Sequence, residues 1–460
     1  MRQAELIALA RAVEKPARYV GGEYGSLPPK PDARLRFLLA YPDVYEVGMS
    51  YLGLQILYRL INSRKGFSCE RVFAPWPDYQ RWLVGRGERL GSLESGRPMA
   101  EFDVIGFSLQ HELVYTNALR MIELGGVALR ALEREESSPL VIAGGPCAVA
   151  PEPLADFMDA FLVGDGEELV LRFLERLEEL KREGVARETQ LLELAQLPGV
   201  YVPRFYEPRG GPEGSGQTPK PLRQEAPSRV VRQAVELESA FSPASLIVPS
   251  LGAVHHRLVV EVKRGCTRGC RFCQAGYITR PNREREPGTI LQMAESLLEQ
   301  SGFDQMTLLS LSTGDYTALD RAVEDLMKPC ESRHVALALP SLRADGFDPS
   351  VARRLAEVKR TGLTFAPEVG SERLRQVINK DVTPEAILRT LEGLESSGYQ
   401  LVKLYFMVGL PTEGQEDLEA IVDLIRQVWR FWDRHRLPRR RINVSPVSYT
   451  HLTLPTKRIV

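Results

Sequence analysis

The sequence predicts an α/β protein made of two successive units, an N-terminal doubly wound parallel sheet followed by six strands alternating with helices. Three observations carry that prediction. Short apolar strand candidates alternate with helical stretches along most of the 460 residues. In the first half, glycines fall just past strand ends, as turns along one edge of a parallel sheet require. Between the halves, 206–230 holds five prolines and four glycines and reads as a flexible surface linker. The composition is that of a globular chain, 43% apolar and 26% charged, with a formal net charge of −1. This balance excludes a globally basic nucleic-acid binder and an acidic tail.

The elements follow in order. Residues 1–33 form a lead-in that opens on "MRQAELIALARAVEKPARYV". With Glu5 inside its first apolar stretch, this segment reads as a short amphipathic helix, not a signal peptide. No run of about 18 apolar residues occurs, so no membrane span is expected and a cytoplasmic location is. Domain 34–200 has buried-strand candidates at 34–41 "ARLRFLLA", 103–109 "DVIGFSL", 139–143 "PLVIA" and 160–163 "AFLV". Gly48, Gly144, Gly145, Gly164 and Gly166 stand just beyond strand ends. No G-x-G-x-x-G follows the first strand, which argues against a nicotinamide or flavin dinucleotide. A connecting segment, 201–250, leads to a second domain, 251–446. Its strands are "HRLVVEVKRG", 306–311 "MTLLSL", 335–339 "VALAL", 363–367 "LTFAP", 401–408 "LVKLYFMV" and 442–445 "INVS". Helices such as "ILQMAESLLEQ" and "LEAIVDLIRQVW" lie between them.

The chemistry concentrates in "RGCTRGCRFCQAGY", 264–277. Three of the six cysteines, Cys266, Cys270 and Cys273, stand four and then three apart. Without regular spacing or an export signal the six do not make a disulfide framework. Structural zinc needs four ligands, and the next cysteine, Cys330, stands alone 57 residues on. Three clustered thiolates suit an iron–sulfur cubane in which each takes one iron and the fourth iron stays open to substrate. Zinc binding or a purely structural role is the alternative.

CxxxCxxC, with Phe272 just before the last cysteine, closely resembles the signature of the radical S-adenosylmethionine superfamily. The resemblance implies a six-stranded partial βα barrel with the cysteines at the C-terminal end of its first strand, where such barrels hold their sites. It also implies a 4Fe–4S cluster, S-adenosylmethionine bound to the open iron through its amino and carboxylate groups, and a 5′-deoxyadenosyl radical formed on one-electron reduction. An electron donor such as flavodoxin or ferredoxin is implied as partner. Local motifs match in order. "STGDY" after the second strand offers Thr313 and Gly314 as backbone, with Asp315 for the methionine ammonium. "APEVGSERL" after the fourth offers Glu368 and Ser371 for ribose or carboxylate, and "FMVGLPTE" after the fifth offers Val408 and Gly409 to cradle adenine.

The first domain resembles the flavodoxin-like, cobalamin-binding domain that precedes the barrel in many radical enzymes. "VIAGGPCAVAPEPLAD" and "AFLVGDGEELV" match its last strands, placing Gly144, Gly145 and Gly164 at a cobalamin edge, and "FSLQHEL" its third strand end, with Ser108. "PDVYEVGMSYLG" matches the Asp-x-His-x-x-Gly turn of base-off cobalamin domains as Asp43, Tyr45 and Gly48, with tyrosine in the slot of the cobalt-ligating histidine. A phenol with a pKa near ~10 is a poor cobalt ligand at neutral pH. The resemblance therefore implies either cobalamin with no protein ligand below the cobalt, or a domain that has lost it. With cobalamin, the implied reaction is methylation of an unactivated carbon; without it, hydrogen abstraction or RNA modification.

Rival readings are narrower. Methylthiotransferases share the barrel but need three further cysteines before it; only Cys69 and Cys147 stand there, 78 residues apart, and read as buried small hydrophobes. "WRFWDRHRLPRRR", 429–441, could touch RNA, but a helix end and exposed loop is the preferred reading. A non-catalytic iron–sulfur sensor or scaffold would have no use for the cofactor turns. Beyond "RINVS", the string "VSYTHLTLPTKRIV" resembles a translated sequencing adapter. Residues 447–460, His451 among them, are therefore expected to be a non-native tail on a truncated chain.

Overall fold

The computed structural model describes residues 3–210, 217–339, 363–380, 382–393, 401–434 and 441–449. It contains two compact units, Met1–His256 and Arg257–Val460.

In the first unit the sheet is built from β1 (Leu35–Tyr41), β2 (Phe67–Phe73), β3 (Val104–Ser108), β4 (Leu140–Gly144), β5 (Ala160–Leu162) and β6 (Val200–Tyr201). Its order is β2-β1-β3-β4-β5-β6, with β1 to β5 parallel and β6 antiparallel on the edge. Leu38 pairs with Ile105, and Ile105 with Val141, all fully buried. Helices cover both faces of such a sheet, which is why these strands read as continuous apolar runs without alternation. The flanking helix Gly166–Arg182 buries Leu169, Phe173 and Leu177 along one stripe at a spacing of four. The order 2-1-3-4-5 is flavodoxin-like, and its direction reverses between β1 and β3, where ligands of doubly wound sheets bind.

Two features depart from expectation. β2 gives no apolar signal in sequence, because "FSCERVF" carries Glu70 and Arg71; both are buried nonetheless. Glu70 accepts from the hydroxyls of Ser92 and Ser95, and Arg71 is ion-paired to Glu23 at 2.9 Å and Glu94 at 2.7 Å. The expected linker is also more than a linker. Tyr206–Gly210 (β7) and Gln217–Pro221 (β8) form an antiparallel pair, and Gln233 bridges to Gly164. Val235, Leu237 and Ile247 are buried, and Gln55 exchanges two hydrogen bonds with the Ile247 backbone. Apolar residues beyond the proline-rich stretch draw this segment back onto the first unit.

In the second unit the strands are β9 (Leu258–Glu261), β10 (Lys263–Arg264), β11 (Arg283–Glu284), β12 (Gln305–Leu309), β13 (Ala336–Ala338), β14 (Leu363–Glu368), β15 (Leu401–Val408) and β16 (Arg441–Ser448). The six expected strands form as two parallel sheets, β13-β12-β9 and β14-β15-β16, and β10 pairs antiparallel with β11. Helices Pro287–Glu299, Leu319–Ser332 and Gln415–Arg434 make the βα connections of the partial barrel. β16 runs past the expected 442–445: Val447 and Ser448, expected to belong to the tail, pair with Met407 and Val408. His451 and the rest of 450–460 lie outside the described residues, as do 435–440 of the basic aromatic stretch. No helix among the described residues is long and apolar enough to cross a membrane.

Candidate active site

β10 delivers the chain into loop 265–274. Gly265 opens the loop at φ +93°, where a Cβ would stand 2.5 Å from the Pro281 carbonyl oxygen, so only glycine fits. Cys266, Cys270 and Cys273 follow as half-buried cysteines, none of them in a disulfide. The chain's other three cysteines are buried. Burial pushes the Cys330 thiol up to about 11 and raises those of Cys69 and Cys147. Exposure thus separates the trio from the inert set. Cys273 Sγ accepts the Gly276 N–H at 3.4 Å, at the start of the short helix Ala275–Ile278. Among the described residues no three His, Cys, Asp or Glu side chains converge to hold a single metal ion.

The loop is tied to the far half of the unit. Arg271 donates its backbone N–H to the Ile378 carbonyl at 2.9 Å and its guanidinium to those of Gln376 and Val377 at 2.9 and 2.5 Å. Asn379, left-handed at φ 53°, ends helix Glu372–Ile378 and donates to the Gly269 carbonyl at 2.8 Å. The cysteine loop thereby caps that helix and satisfies carbonyls the helix end leaves open. Phe272 packs on Val369, Leu374, Ile378 and Leu410, with the Lys380 ammonium 5.5 Å from its ring centroid.

The expected cofactor turns fall into two groups. Asp315 lies against the cysteine loop: Arg268 grips its carboxylate as a fork, with one bond of 2.9 Å from Nε, and Ser312 Oγ donates to it at 2.6 Å. The buried Lys263 ammonium donates to the Asp315 carbonyl at 2.9 Å and pairs with Glu284 at 3.3 Å. Thr313 is fully buried, its hydroxyl 2.9 Å from that of Ser310, and Gly314 is half-buried beside it. Glu368 closes β14 at φ 67°, beyond a register shift, and pairs with Lys380 at 2.5 Å. A non-glycine residue held there is strained, as functional positions often are. The structure thus links Phe272 and Glu368 through Lys380. Ser371 serves the helix instead. It N-caps Glu372–Ile378, accepting the Leu374 N–H at 3.1 Å, and donates to Asp417. Val408 is half-buried with its carbonyl accepting from Tyr449, and Gly409, at φ +83°, donates its N–H to Glu413 at 2.9 Å. Sequence reasoning missed Arg268, Arg271, Lys263 and Lys380. The signal for the first two is the row of arginines interleaved with the thiols.

In the first unit Asp43 and Ser108 stand at the ends of β1 and β3. Asp43 accepts the Val44 N–H at 2.7 Å, and Ser108 Oγ accepts from Gln110 at 2.9 Å. Tyr45 lies in the core of the unit. It is 1% exposed, edge-on to Phe73 at 5.3 Å, and its hydroxyl accepts the Ser250 N–H at 2.9 Å. Burial pushes its phenol up to about 12. Three of the glycines read as ligand approaches serve packing. A Cβ at Gly48 would strike the Phe73 ring at 2.2 Å, one at Gly145 the Leu109 oxygen at 2.6 Å, and one at Gly164 the Gln233 oxygen at 2.1 Å. Gly144 alone of these has room, its nearest neighbour being the Leu162 oxygen at 3.7 Å.

Fold and site together define an α/β protein that joins a switch-point sheet to a βα barrel with three thiols at its first strand end. Two family models match the chain, one described as radical SAM proteins, N-terminal, over residues 53–203, and the other as the radical SAM superfamily over residues 260–425. An uncharacterised protein of Methanocaldococcus jannaschii is 28% identical over 412 residues, covering 89% of this chain and 76% of that protein. A tRNA-2-methylthio-N(6)-dimethylallyladenosine synthase of Cereibacter sphaeroides is 27% identical over 177 residues, 37% of this chain and 40% of the synthase. Among solved structures, the radical S-adenosylmethionine methyltransferase TsrM of Kitasatospora setae, with cobalamin and a 4Fe–4S cluster bound, superposes with a TM-score of 0.60 at 16% identity, covering 90% of this chain and 72% of that one. OxsB, a cobalamin-dependent S-adenosylmethionine radical enzyme, gives 0.53 at 14% identity over 85% of this chain and 51% of its own. At such identities the two structures speak to fold. The chain belongs to the radical SAM superfamily, enzymes that use a 4Fe–4S cluster and S-adenosylmethionine.

Proposed function

We propose that this chain is a cobalamin-dependent radical S-adenosylmethionine methyltransferase acting on an unactivated carbon. In this reading Cys266, Cys270 and Cys273 hold the cluster, and the β1/β3/β4 edge of the first unit holds cobalamin. The observation that carries it is the trio of half-buried cysteines at the end of the first barrel strand, against three buried ones elsewhere. Bound together, the three groups supply an electron, a 5′-deoxyadenosyl radical for hydrogen abstraction, and a methyl group for transfer. The chain's own residues position and shield. Asp315 and the Thr313–Gly314 turn take the methionine end, Phe272 and Leu410 form an apolar wall, and Val408 and Gly409 present backbone to adenine. Glu368, anchored by Lys380, faces polar groups of the cofactor. Asp43, Ser108 and Gly144 offer two polar side chains and one open backbone position to the corrin. The Tyr45 phenol, buried and bonded by the Ser250 N–H, would not be offered to a bound cobalamin from that turn.

The test is anaerobic reconstitution of the whole chain, followed by iron, sulfide and cobalt analysis. Wild type should retain about four irons per chain and cobalamin. A Cys266→Ala/Cys270→Ala/Cys273→Ala variant should lose the iron and keep the cobalt; full iron in that variant would overturn the cluster assignment. Wild type that retains iron but no cobalt favours a second reading, a radical enzyme of hydrogen abstraction or RNA modification without cobalamin. The match to tRNA-modifying synthases speaks for that reading, and the burial of Cys69 and Cys147 speaks against a second cluster of the methylthiotransferase kind. A flavodoxin or ferredoxin is the proposed electron donor.

A further inference from the structure

The two faces of sheet β14-β15-β16 differ in kind. Along β15, Val402, Leu404 and Phe406 are at most 2% exposed, on the face that the helices of a βα barrel cover. Strand side chains alternate, so Lys403, Tyr405 and Met407 point the other way, into the barrel. β15 keeps an unbroken register with β16, which sets Asn443 level with Lys403 and Ser445 level with Tyr405. On the other side Thr364 of β14 is level with Lys403. Residues level on neighbouring strands stand about 4.8 Å apart with their side chains on one face. Five polar side chains thus share a patch centred on Lys403. Among the described residues none of the five side chains has a hydrogen bond or ion pair. Lys263 and Lys380, by contrast, each meet a carboxylate. A half-buried ammonium without an acceptor is a cost that folding does not repay, and such departures mark functional positions. Met407, further along the same face, packs with Phe272 against Val369, Leu374, Ile378 and Leu410. Tyr405 lies roughly 7 Å and Lys403 roughly 13 Å below Met407 along the strand. The other sheet turns Val259 and Leu309 inward, since Leu258, Val260, Met306 and Leu308 are fully buried on its outer face.

We propose that this patch is the anion site for the substrate. Lys403, flanked by Thr364 and Asn443, takes a carboxylate or phosphate, and Tyr405 and Ser445 take a polar group nearer the cysteine loop. The inference rests on the reading of the chain as a radical enzyme and names its substrate class. That class is a small organic acid or phosphate ester, with its reacting carbon at the Met407–Phe272 end and its charge roughly 7–13 Å away. An ammonium with a hydroxyl on one side and an amide on the other offers charge and donors without the fixed fork of an arginine. Val259 and Leu309 leave an apolar surface for the carbon skeleton. Binding an acid pairs the charge that folding leaves without a mate, so an uncharged analogue forfeits the strongest contact of the patch.

The experiment labels the lysines of the full, anaerobically reconstituted chain with a trace of succinimidyl propionate and reads Lys403 and the exposed Lys65 by peptide mass spectrometry. Labelling is run in potassium chloride and, at equal ionic strength, in potassium acetate or potassium phosphate. Acetate or phosphate should slow labelling of Lys403 at least about fivefold, with saturation, and leave Lys65 unchanged. Acetate as the better protector makes the substrate a carboxylic acid, and phosphate makes it a phosphate ester. Thr364→Val keeps the shape and removes the hydroxyl. It should raise the half-protecting concentration about tenfold, the loss of one charge-assisted hydrogen bond. If Thr364→Val does not fold, Asn443→Ala at an exposed position of β16 takes its place with the same expectation. Protection no greater at Lys403 than at Lys65 overturns the site. So does a Lys403 that takes no label in chloride, or a variant that is protected as wild type is. Iron measured on the same samples keeps the two readings apart. Full iron with Lys403 unprotected overturns the anion site alone, whereas a protected Lys403 on a chain that takes no iron overturns the radical reading and leaves the anion site standing.

Discussion

Replacing Tyr45 by Phe tests whether that residue is a packing element or a ligand. The ring and its edge contact with Phe73 survive, and only the hydroxyl is lost. The Ser250 N–H that donates to it belongs to an exposed residue and can turn to water. The expected loss is therefore that of an ordinary hydrogen bond, about 0.5–1.5 kcal/mol at pH 8. The gap should then change with pH in a fixed direction. In the folded chain the phenol titrates near about 12, against 10.0 for an exposed one, with burial the main cause. Between those values the unfolded chain releases a proton that the folded chain keeps. Stability from this group is full below pH 10 and falls as pH rises towards 12, by up to roughly 2.7 kcal/mol. Phe has nothing to titrate. The variant, weaker at pH 8, should equal wild type near pH 11 and exceed it by about 1–2 kcal/mol at pH 12. Urea midpoints of the full chain by far-ultraviolet circular dichroism at pH 8, 10, 11 and 12 give the comparison. A gap that stays constant, or widens with pH, refutes the buried phenol. The same substitution should leave the paramagnetic resonance spectrum of bound Co(II) unaltered; a change would make Tyr45 a ligand.

The remaining predictions concern the turns and the loop. Gly164→Ala, at φ +122° and with a Cβ 2.1 Å from the Gln233 oxygen, should cost at least about 2 kcal/mol in urea unfolding. Gly144→Ala should fall within about 0.5 kcal/mol of wild type in the same assay, yet reduce the cobalt retained after refolding with cobalamin. Ser371→Ala should cost about 1 kcal/mol through the lost cap, with S-adenosylmethionine affinity in dialysis unchanged within about twofold. Arg271→Ala removes two bonds to helix-end carbonyls, each worth about 1.5 kcal/mol, and should speed iron loss to a chelator about tenfold under anaerobic conditions.

Much of the fold can be read from the sequence because both units bury their strands. "LVKLYFMV" is apolar enough to give β15 to the residue, and the glycine turns mark one edge of the first sheet. β2 hides because its charged residues are neutralised by Glu23, Glu94, Ser92 and Ser95, all more than twenty residues away in sequence. Sequence periodicity records burial of apolar groups and is blind to burial by pairing. The thiols are legible from spacing alone. Their neighbours are not, since Arg268 meets Asp315 across 47 residues and Arg271 meets the helix end across more than a hundred. Gly48 shows the converse error. A glycine past a strand end suggests an approaching ligand, but the Phe73 ring occupies that space.

The capping of helix Glu372–Ile378 by the cysteine loop sets a schedule for biosynthesis. Arg271 leaves the ribosome 105 residues ahead of the Gln376 carbonyl it bonds. At elongation rates of about 5–20 residues per second, the thiols spend roughly 5–20 s without the helix that fixes their loop. During that interval they are ordinary cysteines on an unfinished barrel, open to oxygen and to stray metal. Cluster delivery ahead of that point meets a loop with half its tethers missing, so assembly on the completed chain is the favoured order. A nascent chain arrested between residues 300 and 370 should therefore take up iron less stably than one released.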